Sequence, residues 1–141
     1  MPVRCPSVLV VDDDDTVREI ARALLEAEGY EVHDATDGEA ALAFLETRPV
    51  DIVLLDIMMP RKEGLETLVE LKQRFPAITV IAMSASGMRR GHNFLAVAAK
   101  FGADGTLQKP FSPDELFGLL AACAGRSHPG LSAVLSAQKA V

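Results

Sequence analysis

Short runs of apolar, mostly β-branched residues alternate along the chain with longer stretches whose apolar positions recur at helical spacing. The runs at residues 8–11, 30–34, 52–55, 80–83 and 105–108 have the length and composition of strands. After the first run, Val17, Ile20, Ala21, Leu24 and Leu25 recur at helical period, which predicts an amphipathic helix, and Gly29 stands where a left-handed C-terminal cap belongs. A second helix is predicted over residues 38–48, ending before Pro49, and a third over 64–74, ending before Pro76. The fourth begins somewhere in the loop after Ser84, with Phe94, Val97, Ala98 and Phe101 resuming the period. The last opens on Ser112 as N-cap, Pro113 in the first turn and Glu115 completing a capping box, and places Leu116, Leu119, Leu120 and Cys123 on one face.

Strands alternating with helices predict an α/β fold: five βα units forming an open, doubly wound parallel sheet with helices on both faces. In such sheets ligands bind beyond the carboxyl ends of the strands, so function is expected where strands end. At 141 residues, 49% of them hydrophobic and 24% charged, the chain has the apolar content for one core and is too short for a second large domain. The expected division is a domain at residues 1–124 and a frayed, Gly/Ser-rich tail at 125–141.

Charge narrows the picture. Fourteen Lys+Arg against 20 Asp+Glu give −6, which argues against a chain whose main work is neutralising nucleic-acid phosphates or an anionic membrane. The two cysteines, Cys5 and Cys123, form no CxxC pair and lack the density of a disulfide scaffold, and are read as inert thiols. No apolar run approaches the roughly 18 residues of a membrane span, and the run at 8–11 is too short for a signal-peptide core, so a cytoplasmic protein without membrane insertion is expected.

The residues that end the strands are polar: Asp12 and Asp13 after the first, Asp56 after the third, Ser84 after the fourth and Lys109 after the fifth. If the strand order is 2-1-3-4-5, the first and third strands are neighbours and the three aspartates converge. Two carboxylates about 4 Å apart repel by about 4 kcal/mol at an effective dielectric near about 20, so three of them need a proton or a cation. An oxygen-only donor set suits Mg²⁺. Strands lie about 4.8 Å apart, so a short side chain reaches Asp56 only from the adjacent fourth strand, while one from the fifth must span about 10 Å. Ser84 is short and Lys109 long. A hydroxyl, an ammonium and a metal facing a carboxylate are the parts that hold a phosphoryl group in transfer, with Asp56 as nucleophile.

VLVVDDDD (8–15), DIVLLDIMMP (51–60), VIAMSAS (80–86) and LQKPF (107–111) together resemble the receiver domain of two-component response regulators, over roughly residues 6–124. The resemblance implies a flavodoxin-like sheet of order 2-1-3-4-5 with five helices. It implies that Asp56 accepts a phosphoryl group from a sensor histidine kinase or phosphotransfer protein, that Asp12 and Asp13 are the acid pair of a Mg²⁺ pocket, and that the Met58 backbone carbonyl completes the metal site. Ser84 then corresponds to the hydroxyl that bonds the aspartyl phosphate, and Lys109 to the lysine that pairs with it. Three features depart from the family: a longer stretch between Ser84 and Lys109, Thr106 where an aromatic switch residue is common, and RKEG (61–64) after the Met-Pro. With no ring at 106, the switch is expected to show mainly in the loop at 85–93.

Other readings remain for these residues. An acidic residue at a helix start caps backbone N–H groups, the role expected of Asp15 above all. Arg89, Arg90 and Lys100 make a local basic cluster read as a solvated loop, and His33, His92 and His128 show no metal spacing. Asp12, Asp14 and Thr16 also fit the Asp-x-Asp-x-Thr motif of haloacid-dehalogenase-type phosphatases, with Asp12 as nucleophile and Asp14 as acid, but no later acidic pair stands at a strand end. The reading adopted is a stand-alone receiver, a phosphoacceptor switch rather than an enzyme, whose output is an unidentified downstream protein with no direct DNA binding.

Overall fold

The computed structural model describes residues 6–58, 64–84 and 94–127. Among these residues five strands and five helices alternate: β1 (Ser7–Val11), α1 (Asp15–Ala27), β2 (Glu31–Ala35), α2 (Gly38–Thr47), β3 (Ile52–Asp56), α3 (Gly64–Arg74), β4 (Thr79–Ser84), α4 (Phe94–Lys100), β5 (Gly105–Gln108) and α5 (Pro113–Ser127). The strands pair in parallel in the order β2-β1-β3-β4-β5, the doubly wound sheet expected. Residues 125–127 of the expected tail belong to α5; the rest of that tail from residue 128, the loop at 85–93 with Arg89 and Arg90, residues 59–63, and Cys5, His92 and His128 lie outside the described residues.

Burial explains which strands are central. β1, β3 and β4 are buried at every position. Their side chains divide by period two, as pleating requires. Leu9, Val11, Val53, Leu55, Val80 and Ala82 pack with Ala41, Leu42 and Leu45 of α2, Leu68 and Leu71 of α3, and Ala98 of α4. Val8, Val10, Ile52, Leu54, Ile81 and Met83 pack on the other face with Ala21 and Leu25 of α1 and Leu116 and Leu120 of α5. β2 and β5 carry exposed polar residues and form the two edges.

Helix ends follow local chemistry. Gly29 has φ of 92°, and the Gly29 and Tyr30 N–H groups donate to the Glu26 and Leu25 carbonyls at 3.0 and 3.1 Å, a Schellman cap closing α1. The capping box of α5 forms as expected: the Ser112 N–H donates to the Glu115 carboxylate at 3.0 Å and the Glu115 N–H to the Ser112 hydroxyl at 3.1 Å.

Three local expectations are corrected. The N-cap of α1 is Asp14, whose carboxylate accepts from the Thr16 N–H at 2.9 Å; Asp15 lies in the first turn and pairs with Arg18. Ile20 is 52% exposed, because the stripe of α1 centres on Ala21 and Leu25 and leaves Ile20 at its margin. On α4, Ala98 is buried while Val97 is 37% exposed and Phe101, just past the helix, 50% exposed, so that short helix rests on the core through Ala98 with Leu95 partly buried beside it. From the first correction, Asp14→Ala is expected to lower stability by about 1 kcal/mol and Asp15→Ala by less, since only Asp14 satisfies an orphan N–H. Urea midpoints of the two variants check the ranking.

Candidate functional site

The register brings the strand-end residues together. Val11 pairs with Leu55 across β1 and β3, so the next residues, Asp12 and Asp56, emerge level with each other. Carboxylate oxygens of Asp12, Asp13 and Asp56 all lie within 4.8 Å of one another. Asp12 and Asp56 are buried while Asp13 is exposed, so the cluster opens to solvent on the Asp13 side. Ser84 ends β4, the strand paired with β3, and Lys109 follows β5.

Lys109 supplies the positive charge. Its ammonium donates to Asp12 Oδ2 at 2.6 Å and to Asp56 Oδ2 at 3.4 Å. The other oxygens are held by backbone: Asp12 Oδ1 accepts from the Asp14 N–H and Asp56 Oδ1 from the Met58 N–H, each at 2.9 Å. Burial pushes the Asp56 carboxyl above its ordinary range, and the Asp12 charge adds to this; the Met58 N–H and the Lys109 ammonium offset only part. For Lys109 burial acts downward, but the bond to Asp12 and the charges of Asp56 and Asp12 outweigh it and raise its pKa, so it stays an ammonium. Ser84 Oγ is buried with no hydrogen-bond partner among the described residues. An unpaired buried hydroxyl costs about 1–3 kcal/mol, and a ligand oxygen at this site can relieve it.

The arrangement therefore has a buried carboxylate, an ammonium, an unpaired hydroxyl and a cluster of hard oxygen donors at one strand-end crevice. Asp14, the acid of the phosphatase reading, is committed to capping α1. The chain matches the response regulator receiver domain over residues 8–121.

It belongs to that family.

Among the relatives of this receiver, the transcriptional regulatory protein CpxR of Klebsiella pneumoniae is 41% identical over 121 residues, covering 86% of this chain and 50% of that protein. The response regulator MprA of Mycobacterium sp. strain KMS is 38% identical over 129 residues, covering 92% and 54%. The crystal structure of the receiver domain of NtrX from Brucella abortus superposes with a TM-score of 0.78 at 32% identity, covering 85% of this chain and 99% of that one. The chain spans about half the length of the curated relatives it matches.

Receivers are phosphoacceptor switches rather than enzymes in the usual sense, and the flavodoxin-like fold expected from the sequence is borne out. The expectation of an output without direct DNA binding is overturned by the transcriptional regulators among the relatives. The acidic charge of a receiver carries no information about a segment joined to it. Among the described residues no helix is long and apolar enough to cross a membrane.

The residue that the sequence reading passed over is Arg18. Its side chain is only 12% exposed, and its guanidinium donates to the Asp12 backbone carbonyl at 2.6 Å. A signal was available: a cation near a helix N-terminus opposes the macrodipole and needs a local partner.

Proposed function

We propose that this receiver accepts a phosphoryl group on Asp56 from the phosphohistidine of a sensor histidine kinase or phosphotransfer protein, in a Mg²⁺-dependent reaction in the cytoplasm. The observation that carries the reading is the convergence of Asp12, Asp13 and Asp56 within 4.8 Å, with Lys109 bridging Asp12 and Asp56. In the transfer an Asp56 carboxylate oxygen forms the new P–O bond, the P–N bond to the donor imidazole breaks, and the departing imidazole takes a proton.

The donor set fits Mg²⁺: clustered carboxylate oxygens, one of them solvent-facing, joined by no sulfur or imidazole among the described residues. Asp12, Asp13, Asp56 and the Met58 carbonyl would hold the ion, which would neutralise charge on the transferring phosphoryl oxygens. Lys109 places its charge beside the acceptor and can follow a phosphoryl oxygen, since it already lies 3.4 Å from Asp56. Ser84 donates its unpaired hydroxyl to another. Phosphorylation then shifts the receiver toward the conformation in which those bonds are made.

The test is acylphosphate labelling followed by borohydride trapping and peptide mapping, with and without chelator. Label on Asp56, lost with chelator, is expected. Label on Asp12 with none on Asp56 would falsify the assignment. Asp13→Ala is expected to weaken Mg²⁺ strongly in a calorimetric titration, because the ion loses its solvent-facing anionic ligand; unchanged affinity would place the metal elsewhere.

A further inference from the structure

Asp12 and Asp13 are positioned by different means. Asp12 is fixed at four points: its N–H donates to the Ala35 carbonyl at 3.2 Å, its carbonyl accepts from Arg18 at 2.6 Å, Oδ1 accepts from the Asp14 N–H at 2.9 Å, and Oδ2 accepts from Lys109 at 2.6 Å. Asp13 is exposed, and among the described residues its carboxylate has no hydrogen-bond partner. With no such bond to hold it, the point from which its side chain departs is set by the backbone that carries it.

That backbone begins with the peptide joining Asp12 to Asp13. The carbonyl of the first residue and the N–H of the second share one rigid plane. Arg18 grips that plane from α1, and its own position is fixed in turn. Its Nη2 pairs with Asp15, and its Nε lies 3.7 Å from Asp34 just before the C-terminal end of β2, where Arg22 Nη2 also lies 3.7 Å from the same carboxylate. A planar guanidinium with five donors can serve a carbonyl and two carboxylates at once, which a lysine ammonium on a flexible stem does less well.

We infer that Arg18 is a positioning residue for the Mg²⁺ pocket, holding the Asp12–Asp13 peptide so that the Asp13 carboxylate faces Asp12 and Asp56. The inference rests on the proposed metal reading and goes beyond it, since Arg18 itself binds neither metal nor phosphoryl group. Its sign is diagnostic. By charge alone, removing a cation beside a cluster of aspartates strengthens binding of a dication. Removing a clamp weakens it, and loss of an outer partner that orients a ligand typically lowers metal affinity about 10- to 100-fold.

The experiment is calorimetric titration of Mg²⁺ into the full chain and its Arg18→Ala, Arg18→Lys and Arg22→Ala variants, with circular dichroism to verify folding. Arg18→Ala is expected to bind roughly tenfold more weakly. Arg18→Lys should fall between it and the parent, and Arg22→Ala, which removes the same charge from α1 without touching Asp12, should match the parent. Acylphosphate uptake by Arg18→Ala should recover at saturating Mg²⁺, because the defect lies in binding the ion. Parent binding with equal or tighter binding by Arg18→Ala overturns the inference and leaves the metal reading standing. A parent that takes up no Mg²⁺ overturns both. Should Arg18→Ala fail to fold, Arg18→Lys decides, with several-fold weaker binding in favour and parental affinity against.

Discussion

Replacing Asp56 by asparagine is expected to abolish phosphoryl uptake from a small acylphosphate, while leaving the metal-free protein more stable than the parent at neutral pH. The first effect follows from chemistry: a carboxamide lacks the anionic oxygen that must form the P–O bond. The second follows from the site. Asp56 is 4% exposed, beside a second buried carboxylate, Asp12, and the two compete for one ammonium that lies nearer Asp12, at 2.6 against 3.4 Å. The asparagine carbonyl can still accept from the Met58 N–H, so the turn after β3 keeps its bond. Because burial raises the folded-state pKa of Asp56, its favourable contribution is full below the ordinary carboxylate pKa and is lost as pH rises through the folded value. The stability advantage of Asp56→Asn should therefore be present at pH 7 and vanish in acid. Denaturant midpoints across pH, taken without Mg²⁺, measure it. A variant that is less stable than the parent at pH 7 would show that Lys109 compensates the buried carboxylate in full.

The alternation of strands and helices was legible because three apolar runs, at residues 8–11, 52–55 and 80–83, stand apart from helices of clear period. The strand order came from resemblance, yet the residues carry part of it. EVHDA of β2 and GTLQ of β5 are polar enough to suit only edges, while the central strands are apolar on both faces. The pocket was legible because each of Asp12, Asp13, Asp56, Ser84 and Lys109 is a polar residue following or ending a strand. What was not legible lay between elements. Which of Asp14 and Asp15 caps α1 depends on where the chain first turns helical, a matter of one residue that composition does not fix. Ile20 and Phe101 fit the helical period but stand at the edges of their stripes, and the width of a stripe is set by the neighbouring elements. The bond from Arg18 to a main-chain carbonyl leaves no trace in side-chain pattern.

A glycine that carries no functional group is expected to matter nearly as much as the acceptor itself. Gly64 opens α3, and a Cβ built on it would lie 2.1 Å from Ile57 Cα, 2.5 Å from the Asp56 carbonyl oxygen and 2.7 Å from the Ile57 carbonyl carbon. All three are backbone atoms of Asp56 and the residue after it, and no rotamer change can move them. Gly64→Ala must push α3 away from the end of β3 or bend the chain just past Asp56. Overpacking of this kind costs about 1–3 kcal/mol, and here the upper end is expected because Ile57 is itself buried against the α3 side of the core. The same displacement moves the acceptor relative to Lys109 and Ser84, and a misplacement of about 1 Å can slow a reaction about 100-fold. Gly38→Ala is the control. Its Cβ would meet the Thr67 side chain, with Oγ1 at 2.0 Å, so it too overpacks, but against atoms that a second substitution can remove. Thr67→Ala should rescue much of the stability lost in Gly38→Ala, whereas no side-chain change at residue 57 can rescue Gly64→Ala. Urea midpoints for the single and double variants, with acylphosphate labelling rates for each, separate the two cases. Gly64→Ala labelling at the parental rate would show that the contact between α3 and the end of β3 does not hold the acceptor in place.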